Sequence, residues 1–136
     1  NRGCLEQYAS ATGIVRLAKR RLSEDDAPSC LRRDNISAKS VFDAVKAGDS
    51  VAIEVAERFG DYLGKGLANI AVIVNPEAFV IGGGVSKAGE ILFDYIRPAF
   101  LKYTFHACRD TKLVLAKLGN NAGIYGAAGL ILNAQK

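Results

Sequence analysis

The sequence contains no methionine, one histidine, three prolines and three cysteines. Each scarcity narrows what the chain can be. Cys4, Cys30 and Cys108 are odd in number and far apart, which excludes a disulfide framework and favours a reducing, cytoplasmic setting. Cys30 and Cys108 also lack metal-ligand spacing and read as inert. His106 has no constellation of serine, cysteine or carboxylate about it and reads as a surface or satisfied histidine rather than a catalyst. No apolar run is long and continuous enough to span a membrane; residues 67–82 come nearest, and Asn69, Asn75, Pro76 and Glu77 interrupt them. No secretory signal is visible, and Asn1 is not a natural start. The missing methionine leads to the expectation that the chain is cut from something longer. Internal repeats and low-complexity segments are lacking too.

What is present is the composition of an ordinary globular protein. With 136 residues, 49% hydrophobic and 24% charged, the chain can bury a proper core as one domain or part of one. Much of the net charge of +4 sits in Arg16-Lys19-Arg20-Arg21 and Arg32-Arg33, each with acidic residues close by. These clusters have no interleaved aromatics and no reading motif. They read as solvated helix faces, not as a nucleic-acid interface.

The stretch from Asn75 to Ser86 is the most informative. An apolar run, Ala78 to Ile81, leads into Gly82-Gly83-Gly84 and then a serine able to cap a helix. Glycines at the C-terminal end of a strand let a ligand approach bare backbone, and a following helix would turn its N-terminal amides to the same spot. A tight strand-to-helix turn without a ligand fits the same residues.

The rest of the pattern strengthens the first reading. Leu5, Tyr8, Ala9 and Thr12 fall at helical spacing until Gly13, and residues 14–22 read as a second helical piece. Residues 23–36 read as a loop. Ser37 caps a short helix over 38–47 that Gly48 ends, and Asp49 or Ser50 caps a long one. In that long helix Val51, Val55, Phe59, Leu63, Leu67, Ile70 and Val74 share one stripe, and Asn75-Pro76 ends it. Gly60, Gly64 and Gly66 read as sites of close helix packing. Beyond the glycine turn come a helix over 88–97 that Pro98 disturbs late, a strand over 112–116, a turn at Gly119-Asn120-Asn121 and a helix over 122–132. The fold class is α/β, with 1–76 mainly helical and 77–136 a strand-helix-strand-helix unit. Strands joined through a helix lie parallel, so both glycine-bearing turns belong at one sheet edge, where ligands of such sheets bind.

Gly3-Cys4-Leu5-Glu6 gains meaning beside these features. Preceded by Asn1-Arg2 in two variable places, it resembles the end of the motif Cys-x-Cys-Gly-x-x-Gly-Cys-x-Glu of the ROK family of bacterial sugar kinases and sugar-responsive repressors. Ala47-Gly48-Asp49, Tyr62-Leu63-Gly64, Asn75-Pro76-Glu77, Ile81 to Ser86, Asn121-Ala122 and Gly126-Ala127-Ala128 resemble the family in the same order. Within the family the likeness is greatest to the C-terminal half of a glucokinase.

The resemblance implies an actin-like ATPase fold of ribonuclease-H topology, with this chain the C-terminal part of the larger lobe. It implies ATP-dependent phosphorylation of a hexose, most closely glucose, with Mg2+ on the nucleotide. It places Gly82, Gly83 and Gly84 near the adenosine and makes Glu6 a carboxylate that accepts hydrogen bonds from sugar hydroxyls. Cys4 becomes one ligand of a structural Zn2+ whose other ligands are two cysteines and a histidine. A homodimer or tetramer is implied as well. The family's phosphate loop, catalytic aspartate and remaining zinc ligands are expected upstream of Asn1, so no catalytic base is assigned here and the chain alone is expected to be inactive. A fructokinase, an N-acetylmannosamine kinase or a repressor that binds sugar without phosphorylating it would carry the same residues.

Overall fold

A computed structural model describes residues 3–32 and 35–133. Asn1 and Arg2 of the resembling motif, and Arg33 of the second basic cluster, lie outside the described residues. The helices are α1 (Glu6–Ala9), α2 (Ala11–Leu22), α3 (Ala38–Lys46), α4 (Ser50–Val74), α5 (Ile91–Tyr103) and α6 (Ala122–Asn133). The strands are β1 (Ala78–Ile81) and β2 (Lys112–Leu115).

Local chemistry sets most of these boundaries. The Ser37 hydroxyl accepts from the Ser40 amide while the Ser40 hydroxyl receives the Ser37 amide, a reciprocal cap that starts α3. Asp49 starts α4 by accepting from the Ala52 amide at 3.0 Å. Asn75 ends that helix in the left-handed region, at φ 43°.

Four expectations need correction. The first helical segment breaks at Ser10, whose extended backbone and side chain cap α2, and Gly13 lies inside α2. Gly13 instead lets α1 come close: a Cβ there would stand 2.6 Å from the Tyr8 carbonyl carbon. The glycine turn is followed not by an α-helix but by a 3-10 turn over Gly84–Ala88, with α5 starting only at Ile91. Ser86 therefore caps no helix; its hydroxyl donates to the Gly83 carbonyl at 2.8 Å. Pro98 does not end α5, which runs on to Tyr103. Asp94, whose carbonyl Pro98 cannot bond, is exposed like Pro98 itself, so water can serve the freed oxygen. Finally, Ile70 and Val74 are exposed, and the buried stripe of α4 continues through Ala68 and Ala71. At 25 residues α4 outruns the 13-residue α5 packed on it, so its last turns leave the core.

The core lies between α4, α5, α2 and α3, with Ile14, Val41, Phe42, Val55, Phe59, Leu92, Ile96 and Phe100 almost wholly buried. Gly60 and Gly64 of α4 meet α5 closely, as expected of them. A Cβ on Gly60 would stand 2.3 Å from the Tyr95 carbonyl oxygen, and one on Gly64 2.6 Å from the Ala99 Cβ. Gly66 is similarly covered by Leu5. β1 and β2 form a parallel pair with Phe79 opposite Leu113 and Ile81 opposite Leu115. Their inner residues meet the helices; Val80 and Val114, also paired, face outward.

Candidate functional site

The parallel pairing carries β1 and β2 to a common edge. The Ala116 amide donates to the Ile81 carbonyl at 2.9 Å, and the 3-10 turns Gly84–Ala88 and Gly119–Asn121 lie against each other. The two glycine-bearing turns thus converge as expected. From behind, Val85 and Ala88 are buried against α3, and Lys46 Nζ donates to the Ala88 carbonyl at 3.2 Å. This support holds the loop in one shape.

The three glycines have different duties. Gly83 adopts φ 74° and ψ −159°, a region open to glycine and to almost nothing else. Gly84 is a packing glycine, since a Cβ there would come within 3.0 Å of the Ala11 Cβ. Gly82 has neither constraint: a Cβ would meet only Ala116 Cβ, at an ordinary 3.4 Å. Of the three, Gly82 is the one whose bareness the fold itself does not require.

Facing the loop is a wall that the sequence reading did not assign. Residues 9–12 and Leu63 on one side, with residues 80–85 on the other, enclose a cleft of about 470 Å³. Ser10, Ala11 and Thr12 form the start of α2, some seventy residues from the loop in sequence. The signal that could have found them is the cap itself, because Ser10 accepts from the Gly13 amide at 3.0 Å. Among the described residues no carboxylate, histidine or cysteine lines this cleft.

Glu6 stands at the edge of the same wall. Its Oε1 accepts from the hydroxyls of Ser10 and Thr12, each at 3.2 Å, and its Oε2 from Gln7 Nε2 at 2.9 Å. The carboxylate is exposed and so open to a further donor. Cys4 is an exposed free thiol two residues before it. Among the described residues no group of three or more His, Cys, Asp or Glu side chains could hold a metal, so Cys4 has no completed zinc site here. His106 is exposed, as expected, and Cys108 is buried with its thiol directed at the Ala71 carbonyl and Asn75 Oδ1.

A larger depression of about 560 Å³ lies between Lys19, Leu31 and Ile36, away from the glycine turns. Its Arg32 guanidinium is engaged by the carbonyls of Leu22, Asp25 and Ala27, which favours a structural role. Arg21 likewise ties α2 to Glu54 of α4, at 2.6 Å, and to Asp25, at 2.9 Å. Arg21 and Arg32 therefore hold the 23–32 loop in place, and Arg21 is buried rather than part of a solvated face as expected. No helix among the described residues is long and apolar enough to cross a membrane.

The chain is 42% identical over 134 residues to a glucokinase of Halalkalibacterium halodurans, covering 95% of this chain and 41% of that protein. It is 31% identical to the DNA-binding transcriptional repressor Mlc of Escherichia coli, covering 98% of this chain and 33% of the repressor. Among solved structures it is similar to a ROK family glucokinase from Streptomyces griseus in complex with glucose and AMPPNP. That likeness has a TM-score of 0.79 and 35% identity, and covers 96% of this chain and 45% of the other. The chain thus spans less than half the length of these relatives, and the fold is the actin-like one of ROK sugar kinases. Residues 1–134 match the ROK family, and the chain belongs to it.

Proposed function

We propose that this chain is part of an ATP-dependent hexose kinase, a glucokinase that converts glucose and ATP to glucose 6-phosphate and ADP. The observation that carries the reading is the cleft, in which the glycine loop faces the α2 start on which Glu6 hangs. A nucleotide on Gly82, Gly83 and Gly84 and a sugar on Glu6 would then be neighbours, as phosphoryl transfer requires. The Streptomyces griseus relative, bound to glucose and AMPPNP, supports the same pair of ligands.

In this reading the exposed backbone at Gly82 admits the nucleoside, and Mg2+ accompanies the phosphates. The Glu6 carboxylate accepts from sugar hydroxyls and orients the hexose. The group that removes the hydroxyl proton is supplied from beyond these residues. Cys4 would be one Zn2+ ligand in an intact protein that brings the other three. A cytoplasmic homo-oligomer acting on a soluble sugar completes the proposal.

Similarity to the Mlc repressor favours a second reading, a sugar-binding regulator without turnover. One experiment separates the two: a coupled assay of the intact protein with magnesium-ATP against a panel of hexoses. Glucose-dependent ADP release supports the kinase and names its substrate; ADP release with fructose or N-acetylmannosamine reassigns the substrate. Sugar binding without ADP release supports the repressor.

A further inference from the structure

We propose that Thr12 is a positioning residue that sets the Glu6 carboxylate for the sugar. This rests on the reading of Glu6 as the sugar's acceptor.

Glu6 is gripped from two sides. On Oε1, Ser10 Oγ and Thr12 Oγ1 both stand at 3.2 Å and are themselves 2.9 Å apart. On Oε2, Gln7 Nε2 donates, and Gln7 Oε1 is in turn held by Arg16 Nη1. An ionised carboxylate offers about four acceptor positions. The two hydroxyl protons are shared among three contacts, so Oε1 receives one or both of them while Oε2 receives Gln7, and a position for a hydroxyl from outside remains on the Gln7 side. The grip thus selects which oxygen receives the ligand and removes rotamer freedom that sugar binding would otherwise have to remove.

Within the grip Ser10 and Thr12 are not equivalent. The Ser10 oxygen already accepts from the Gly13 amide as the cap of α2, so replacing it would loosen the helix start as well as Glu6. Thr12 has no such structural duty; its hydroxyl meets Glu6 and Ser10. It sits in the first turn of α2, among the residues that line the cleft of the glycine loop. Thr12 is therefore the hydroxyl that can be removed cleanly. Its loss should free Glu6 to swing and move the sugar's affinity more than the nucleotide's.

The test uses the intact protein with glucose and AMPPNP as the probes, in calorimetric titrations of wild type, Thr12→Val and Thr12→Ser. Thr12→Val is expected to weaken glucose binding about tenfold, the size of one hydrogen bond to a charged group. AMPPNP affinity should change less than twofold, and Thr12→Ser, which restores the hydroxyl, should return glucose affinity to within about twofold of wild type. Unchanged glucose binding in Thr12→Val overturns the proposal alone, as does a Thr12→Ser variant equally impaired. Equal losses for both ligands overturn it in favour of a general loosening of the cleft wall. Wild-type protein that binds no hexose at all overturns it together with the reading of Glu6.

Discussion

Gly82 and Gly83 are neighbours with opposite reasons for lacking a side chain, and this separates folding from binding at the scale of one residue. Alanine at Gly83 must enter a backbone region that costs of order 1–3 kcal/mol, because φ is 74° with ψ near −160°. Alanine at Gly82 meets nothing closer than 3.4 Å and should leave stability within about 0.5 kcal/mol of wild type. If Gly82 is bare so that a nucleoside can approach, Gly82→Ala weakens AMPPNP binding by the intact protein with its melting temperature unmoved. Gly83→Ala lowers the melting temperature first. Thermal unfolding and nucleotide titration of the two variants check this, and equal melting losses in both would remove the distinction.

Asp49 carries a second prediction at this scale. It accepts from the Ala52 amide and, through Oδ2, from the Ser29 hydroxyl and the Cys30 amide, at 2.8 to 3.0 Å. Burial pushes this carboxyl up, but those hydrogen bonds, with one from the Cys30 side chain, outweigh it and hold the group below the usual carboxylate range. A folded-state pKa below the unfolded one contributes stability that is present above about pH 4 and is lost as pH falls through the folded value. Asp49→Ala should cost about 1 kcal/mol near neutral pH, and the gap from wild type should close on acidification. Urea unfolding at a series of pH values reads it; a gap that stays constant into acid would mean the charge contributes nothing.

At the scale of elements, the α4–α5 contact shows packing overriding propensity. In an isolated helix alanine is better than glycine by up to about 1 kcal/mol. At Gly60 the same change drives a methyl to 2.3 Å from the Tyr95 carbonyl oxygen, a backbone atom that cannot rotate away. Gly60→Ala is therefore expected to destabilise by about 3 kcal/mol, as overpacking does, and a stabilised variant in chemical denaturation would contradict the close contact. Close packing there was legible in the sequence as glycines on an otherwise apolar helix. The caps at Ser37 and Asp49 and the two parallel strands were legible too, because each depends on neighbours in the chain or on a short apolar run.

What escaped the sequence depends on contacts between distant segments. The start of α5 was misplaced because Ser86 looks like a cap, while Gly89, at φ 83°, and Glu90 mark the true boundary. Ser10 was passed over in favour of Gly13 because glycine is the stronger local punctuation; only α1 folding back on α2 shows what Gly13 is for. The cap at Ser10 is a local signal, but the approach of Ser10 to Thr12 to β1 is not legible, since nothing in those residues announces the strand. The convergence of the glycine-bearing turns is therefore legible in the sequence, and the Ser10 to Thr12 wall facing them is not.

At the scale of the whole molecule, the exposed apolar surface and the composition of the cleft lead to one conclusion. Val80 and Val114 form an outward face on a parallel pair, and parallel sheets are ordinarily covered on both faces. Ile124, Tyr125, Leu130, Ile131 and Leu132 of α6 are likewise exposed, as are Ile73 and Val74 at the end of α4. Among the described residues no carboxylate or imidazole lines the cleft to take a hydroxyl proton, a contribution worth about 10²- to 10⁴-fold in the proposed kind of reaction. The relatives this chain matches are more than twice its length. The 136 residues purified alone are therefore expected to release no ADP in response to glucose and magnesium-ATP, and to self-associate through the uncovered apolar faces. A coupled assay alongside light scattering measures both. Glucose-dependent turnover by this chain alone would mean that a proton acceptor lies among these residues, and the description of the cleft as two binding walls without a base would have to be abandoned.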